Sequence, residues 1–545
     1  METKRTIIAV ALSLLVLFGW QILAEHMGWV PQRAAPAPVA VEDTVAITPP
    51  AAQTADGAPA QTVASTSQLP LFIPTEGREV TVDTPLYKAV FHSGGGFLKS
   101  FVLKHYTQSS DAGSPLQNLA NESSFPMAPM GLLVNGLPSW STGQWSFEGS
   151  NLSLINGQTG TLTFTGMVDG LRLRREFTFD AATFLISETV RMDGAEQARS
   201  VRLGFKVGSN SFAAASEYDK TQVAWVNNGS LDTMTDDKKL TNEGFQEQGQ
   251  LQWGGVMNNY FMAVVAPENS VNITLKARIQ DGFWGVLLEQ GDITVHPGNE
   301  TSVSTLWWYG AKDRDLLANA PANLEDSVYL GWFSLIAKPL LYLLVFFHGF
   351  VDNWGVAIIL LTFCIRVLFF PLSQKSYKSM EKMKQLQPQM QKLKEKHGND
   401  REAMNREVMQ LYKTYGANPA SGCLPILVQL PVFVGLYNAL MNSVELRHAV
   451  FIPTLPFTDL VWLADLSARD PLYISPILMG ATMFLQQKLS PPMGEPIQQK
   501  IMMALPIVFT VMFLNFPSGL VIYWFFNNLL SIAQQWLIMG RKRPA

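Results

Sequence analysis

Apolar residues run in long uncharged blocks at the two ends of this chain and alternate with polar ones in between. Residues 6–24 carry no charged side chain and follow Lys4-Arg5. Toward the other end, 354–373 is apolar except for Arg366, and 423–443, 472–487, 501–516 and 520–538 are free of charge. About 20 apolar residues cross the roughly 30 Å hydrocarbon core of a bilayer. The pattern predicts six spans: 6–24, 352–373, 417–443, 471–488, 501–516 and 519–538. The fourth and fifth are short and read as thin or tilted. The first reads as an uncleaved anchor. Its apolar core outlasts a signal-peptide h-region, and Trp20-Gln21-Ile22 offers no small-residue cleavage site.

A seventh apolar stretch, 328–351, holds only Lys338 and His348 as polar interruptions of this kind. Counting it as a span would put 375–413 outside the membrane. That segment carries 10 Lys and Arg, which belong on the cytoplasmic side by the positive-inside bias. The reading is therefore an amphipathic helix, 327–351, lying on the periplasmic surface and broken at Lys338-Pro339. The loops then agree. Asp459, Asp465 and Asp470 fall outside in the periplasmic loop 444–470. Lys488, Lys500 and the basic tail 539–545 fall inside, and both termini are cytoplasmic.

Between the anchor and this helix the texture changes twice. Residues 25–68 are rich in Ala, Pro, Thr and Gln and read as a flexible tether. From 69 to 326 short runs alternate apolar and polar, as in Leu171-Arg172-Leu173-Arg174-Arg175-Glu176-Phe177-Thr178-Phe179, and Gly or Asn-Gly turns punctuate them. This predicts a large antiparallel β-sandwich outside the membrane. The segment 374–416 predicts a helical hairpin in the cytoplasm. Met383, Leu386, Met390 and Leu393 recur at helical spacing before Gly398-Asn399-Asp400, with Asp400 as N-cap. Met404, Val408 and Leu411 continue the stripe on a second helix, and Pro388 is expected to kink the first. The fold class is thus a multi-domain membrane protein: a polytopic α-helical bundle of six spans, an all-β periplasmic sandwich and a cytoplasmic hairpin.

Charge sharpens this picture. Between Glu25 and Lys338 there are 20 Lys and Arg against 32 Asp and Glu, so the central domain is no nucleic-acid binder and the basic residues serve membrane topology. The two cysteines, Cys364 and Cys423, both lie in apolar runs and read as small hydrophobes. No HExxH, GxSxG, GxxxxGK[ST] or metal-ligand spacing occurs, so the reading is of no enzyme, no metal, no cofactor and no nucleotide motor.

One residue carries the chemistry. Arg366 lies nine residues before Lys375, about 13 Å along its helix from the cytoplasmic end at 1.5 Å per residue. Placing an arginine at such depth costs about 2.5–3.5 kcal/mol on insertion scales. The spans supply no carboxylate for it, but they do supply Thr362, Gln429, Asn438, Asn527 and Asn528. A wet groove open to the cytoplasm would accommodate the charge. Such a groove suits passage of a hydrophilic tail of another protein. The competing class is a polytopic transporter or channel.

The run Gly422-Cys423-Leu424-Pro425-Ile426-Leu427-Val428-Gln429-Leu430-Pro431-Val432-Phe433, preceded by Asn418-Pro419, resembles the third-span signature of the YidC/Oxa/Alb insertases. Met383-Lys384-Gln385-Leu386-Gln387-Pro388, Arg366 before Phe370-Pro371-Leu372, and Phe516-Pro517-Ser518-Gly519-Leu520 are similar to that family as well, and the likeness spans essentially the whole chain. The resemblance, to the Gram-negative form, implies an inner-membrane insertase and chaperone with a β-supersandwich shaped like the sugar mutarotases. It implies a groove lined by the last five spans with Arg366 as its charge. It also implies substrate contact along Leu427, Leu430, Phe433, Phe509, Phe513, Tyr523 and Trp524. Its implied partners are nascent membrane proteins, the lipid bilayer, the Sec translocon, the ribosome and the signal-recognition machinery. The sequence departs from the family at Trp524, where a second tyrosine is the expectation.

Overall fold

The computed structural model describes residues 77–545 except 112, 122–126, 211, 213–218, 269–271, 397–399, 417–423, 490–495 and 540–545. The expected anchor 6–24, the tether 25–68, Gly422-Cys423 with Asn418-Pro419, and the basic tail lie outside the described residues.

Strands occupy the chain from Glu79 to Ala311. Nine of them form one sheet with Ser230–Met234 and Gln144–Glu148 at its edges, and five- and six-stranded sheets accompany it. One apolar core draws residues from all three sheets, among them Phe91, Phe177, Trp253, Phe205 and Trp307. The alternation read in the sequence is the burial pattern. In strand Leu171–Asp180, Leu171, Leu173, Phe177 and Phe179 face inward. Two-residue turns join neighbouring strands. Asp281 and Gly282 adopt φ of 51° and 82°, the positive pair that a tight hairpin requires and that Asp and Gly tolerate.

Arg175 also falls on the inward parity of its strand. It is fully buried, with Nε donating to Glu188 Oε1 at 2.7 Å. Its Nη groups donate to Gly95 O at 2.7 Å, Gly96 O at 3.0 Å and Met130 O at 2.7 Å. Trp307 Nε1 donates to the other Glu188 oxygen at 2.8 Å. Every strong partner is met, so the ion pair ties the nine-stranded sheet to the turn at Gly95-Gly96 and to Met130.

The C-terminal region is helical: α1 (Ser334–Val351), α2 (Trp354–Lys396), α3 (Arg401–Tyr415), α4 (Leu424–Asn442), α5 (Ile474–Leu489), α6 (Pro496–Phe513) and α7 (Ser518–Met539). Leu341, Leu361, Leu436, Met479, Phe513 and Val521 share one core among α1, α2, α4, α5, α6 and α7. Among the described residues, α1 and the 354–393 part of α2 are long and apolar enough to cross a membrane by length and composition.

The structure differs from the sequence pattern at Pro339 and at the boundary between the second span and the hairpin. Helix α1 runs unbroken through Pro339. That proline is the sixth helical residue, so the bond its nitrogen would make to Leu335 O is missing, and the helix continues past that single gap. Helix α2 continues through Pro371 and Pro388 to Lys396, so the expected second span and the first arm of the hairpin are one helix. Ser373, Gln374, Lys375 and Ser376 supply no breaker at the boundary. Asp400 caps α3 as read, accepting from Glu402 N at 3.1 Å and Ala403 N at 3.0 Å. Helices α2 and α3 pack through Tyr377, Met380, Met383 and Leu386 against Leu411 and Tyr412, with Ile538 of α7 beside them. Met390 accepts from the Tyr412 hydroxyl at 3.2 Å. Met404 is half-buried on α3.

Candidate functional site

Two polar stripes face each other across an apolar bundle. On α7, Tyr523, Asn527, Ser531 and Gln534 recur at i, i+4, i+8 and i+11 and lie on one buried face. On α2, Thr362, Arg366, Ser373 and Tyr377 share the opposing face, with Ser373 and Tyr377 both buried. The outer faces stay apolar and exposed: Phe363, Val367 and Leu368 on α2, Ile507, Val508 and Val511 on α6, Trp536 and Leu537 on α7. A helix whose exterior is apolar and whose polar groups point inward inverts the soluble pattern and suits a lipid environment.

Arg366 is half-buried at the centre of this arrangement. Its Nη2 donates to Asn527 O at 3.0 Å and to the Ser531 hydroxyl. Ser531 in turn donates to Asn527 O at 2.6 Å. Gln429 of α4 donates to the Tyr523 hydroxyl at 3.2 Å and to Asn527 Oδ1 at 2.7 Å. The guanidinium is thus held by neutral oxygens of α7, and among the described residues no carboxylate pairs with it. Its Nε–H finds no protein acceptor among them either. A small cleft, with room for about one water molecule, adjoins the charge, lined by Ile365, Arg366, Phe369, Leu372, Ser373, Val428 and Gln429. Neutral partners leave the positive charge uncompensated, so its field reaches into the cleft.

The other expected residues divide. Thr362 is fully buried one turn away and returns its hydroxyl to Ile358 O at 2.7 Å. Asn528 turns toward α5, reaching Met479 O at 3.5 Å and Thr482 Oγ1 at 3.4 Å. Asn438 lies at the far end of α4, its amide beside Gly331, and is not part of the cleft. Phe433, Phe509, Phe513 and Trp524 pack together. Phe433 meets Trp524 at 4.8 Å and Phe513 meets Trp524 at 5.4 Å between ring centroids. Phe433 follows Gln429 by one helical turn, so these rings close the bundle about 6 Å beyond the polar groups. Leu427 is exposed and Leu430 half-buried on α4.

The family model described as "60Kd inner membrane protein" matches residues 346–544, and the one described as "YidC periplasmic domain" matches residues 79–343. The chain is 57% identical to the membrane protein insertase YidC of Nitratidesulfovibrio vulgaris strain Miyazaki F, over 99% of this chain and 100% of that one. Its identity to the membrane protein insertase YidC of Lawsonia intracellularis is 52%, over 99% of this chain and 100% of that one. The chain belongs to the YidC membrane protein insertase family. It is a membrane protein with a periplasmic β-sandwich domain and a helical C-terminal region.

Within this YidC family member, the sequence reading reached Arg366, Gln429 and Asn527 but not Ser531, Ser373 or Tyr377. A signal for Ser531 was present: it completes the i, i+4, i+8 polar row begun by Tyr523 and Asn527 on an otherwise apolar helix. A single hydroxyl is easily passed over because serine also satisfies itself on its own helix, as Ser531 does here.

Proposed function

We propose that this protein is a membrane protein insertase and chaperone of the bacterial inner membrane. It receives nascent membrane proteins in the Arg366 cleft and releases them sideways into lipid. The observation that carries the reading is the uncompensated guanidinium, bound among the described residues only to neutral groups of α7 and facing a small cleft within an apolar bundle. A hydrophilic, acidic tail that enters the cleft meets a positive charge and a shortened apolar barrier. No motor is needed. Twenty apolar residues of a substrate gain roughly 6–12 kcal/mol on entering lipid. The protein's task is to lower the barrier for the tail.

The membrane arrangement that goes with this function has six spans, at 6–24, 352–373, 417–443, 471–488, 501–516 and 519–538. Both termini are cytoplasmic and 69–326 is periplasmic. Helix α1 rests at the periplasmic interface, and the basic hairpin 374–416 faces the cytoplasm, where chains and ribosomes arrive. The excess of Lys and Arg in 375–413 and in the C-terminal tail supports this orientation. The Sec translocon, the ribosome and the signal-recognition machinery are its proposed partners, and Leu427, Leu430 and the Phe433, Phe509, Phe513 and Trp524 cluster its proposed contacts for substrate spans.

The test is reconstitution. Purified protein in liposomes is given a newly made single-span protein with a short acidic N-terminal tail, and protease protection of the tail is scored. Protection that requires the protein supports the reading. Equal protection in empty liposomes, or none in either, refutes autonomous insertion.

A further inference from the structure

The segment joining α4 to α5 carries an apolar tip that neither the cleft nor the β region uses. Strands Ile452–Thr454 and Val461–Leu463 pair antiparallel, Ile452 opposite Leu463 and Thr454 opposite Val461. Between them stands Leu455-Pro456-Phe457-Thr458-Asp459-Leu460. Phe457 is wholly exposed, and Leu460 and Val461 expose more than half their surface. No charged residue occurs from 449 to 458. The backbone of Phe457 has φ +68°, a region that a bulky side chain rarely adopts and that costs about 1–3 kcal/mol. The turn around it is well bonded: Leu455 N donates to Leu460 O at 2.8 Å and Thr458 N to Leu455 O at 3.0 Å. The fold therefore holds a large ring out of contact with the rest of the protein at a cost in backbone strain.

The base of this hairpin fixes where the ring is presented. Phe451 O accepts from Asn353 Nδ2 at 3.1 Å, and its ring lies against Gly355 in the first turn of α2. Trp462 Nε1 donates to Asp470 Oδ2 at 3.1 Å, and Leu463 is buried in the helical core. Phe346 and Phe350, also exposed, end α1 at the same corner. The segment lies on the β-region side of the bundle, because Arg447 within it donates to Thr107 O at 2.6 Å. The hairpin thus springs from the level at which the apolar surface of α2 begins. Phe457 lies six positions beyond Phe451, at most about 20 Å of chain.

We infer that the 455–460 tip inserts into the interfacial zone of the periplasmic leaflet, with lipid as its occupant. Its chemistry matches that zone: an aromatic ring and aliphatic side chains without charge, followed by Asp459 to remain among the headgroups. The same bundle exposes Phe363, Val367 and Leu368 on α2 and Phe346 and Phe350 on α1, apolar surface that lipid would also cover. The tip is then a shallow anchor that fixes the outer ends of α4 and α5 against the bilayer. The inference rests on α2 being a membrane span.

The test uses the full chain with Cys364 and Cys423 replaced by Ala. A single cysteine is placed by Phe457→Cys, Leu368→Cys or Lys238→Cys, labelled with an environment-sensitive fluorophore and reconstituted in phosphatidylcholine–phosphatidylglycerol vesicles. Spin labels sit either near the headgroup or deep in the acyl chain of the lipids. The Phe457→Cys label should be quenched about two-fold more than the Lys238→Cys label, and best by the shallow spin label. The Leu368→Cys label should respond to the deep one. A Phe457→Cys label that behaves like Lys238→Cys, while Leu368→Cys is quenched, overturns the anchor and leaves the span intact. Lack of quenching at Leu368→Cys overturns both. Cross-linking of position 457 to a translocating chain without lipid quenching also overturns it, in favour of a polypeptide occupant.

Discussion

Arg175 and Arg366 both leave water, and each is satisfied in its own way. Arg175 is enclosed by the β-sandwich and pairs with Glu188 inside a full set of carbonyl acceptors. Arg366 has a carbonyl and a hydroxyl and keeps a small cleft beside it. The first is a structural joint. Removing one partner strands a buried charge, so Glu188→Ala should cost about 3–5 kcal/mol of stability, read from the urea midpoint by tryptophan fluorescence. The joint was half legible in the sequence. Arg175 sits at an inward position of an alternating strand, but alternation does not name the carboxylate on the neighbouring strand. Two lysines add a pH dependence. Burial lowers the Lys206 and Lys312 ammonium groups from 10.5 to about 7. Their folded pKa lies below the unfolded one, so stability is fully present above about 10.5 and declines as pH falls toward 7. The urea midpoint of the β region should therefore rise from pH 7 to pH 9, and Lys206→Met should flatten that rise.

At the scale of elements, periodicity was a good guide to strands and helices and a poor guide to where helices join. The strand around Leu171–Asp180 and the capped start of α3 follow from side-chain period and one Asp. The unbroken passage of α2 from apolar to basic surface does not, because a change of polarity marks a change of solvent and leaves the backbone free to continue. The mechanical consequence is that α2 links the hairpin rigidly to the Arg366 cleft. Asp400 decides how firmly the second arm is held. Asp400→Ala should cost α3 about 1 kcal/mol, seen as amide exchange roughly five-fold faster in its first turns with α2 unchanged.

At the scale of the whole molecule, the segment between α4 and α5 docks onto the β region. Arg447 donates to Thr107 O at 2.6 Å and Gln108 O at 3.1 Å and covers the Phe261 ring at 5.0 Å. Val444 beside it joins the β-region core. Sequence separation hides such a joint: Arg447 and Thr107 are 340 positions apart, and no pattern pairs them. Arg447→Ala should loosen the two regions, increasing proteolytic cleavage between residues 311 and 334. The joint also has an acid limit. Burial and the Arg447 charge lower the His448 pKa, against the upward pull of Asp465 and Asp111. Docking should therefore be complete above about pH 6.5 and weaken as pH falls below it, with the same cleavage as readout. The β-sandwich, the helical C-terminal region and the family were legible from the sequence, and the polar row on α7 carried a faint signal for Ser531, whereas this contact emerged only once the helices were placed.

The central claim is that the charge of Arg366 lets a hydrophilic tail cross. The most direct measurement compares protein, Arg366→Ala and Arg366→Lys in liposomes supplied with the acidic-tailed single-span protein. Tail protection should fall about ten-fold or more in Arg366→Ala, equivalent to about 1.4 kcal/mol on the barrier, and recover substantially in Arg366→Lys. Undiminished protection in a folded Arg366→Ala protein would contradict the account.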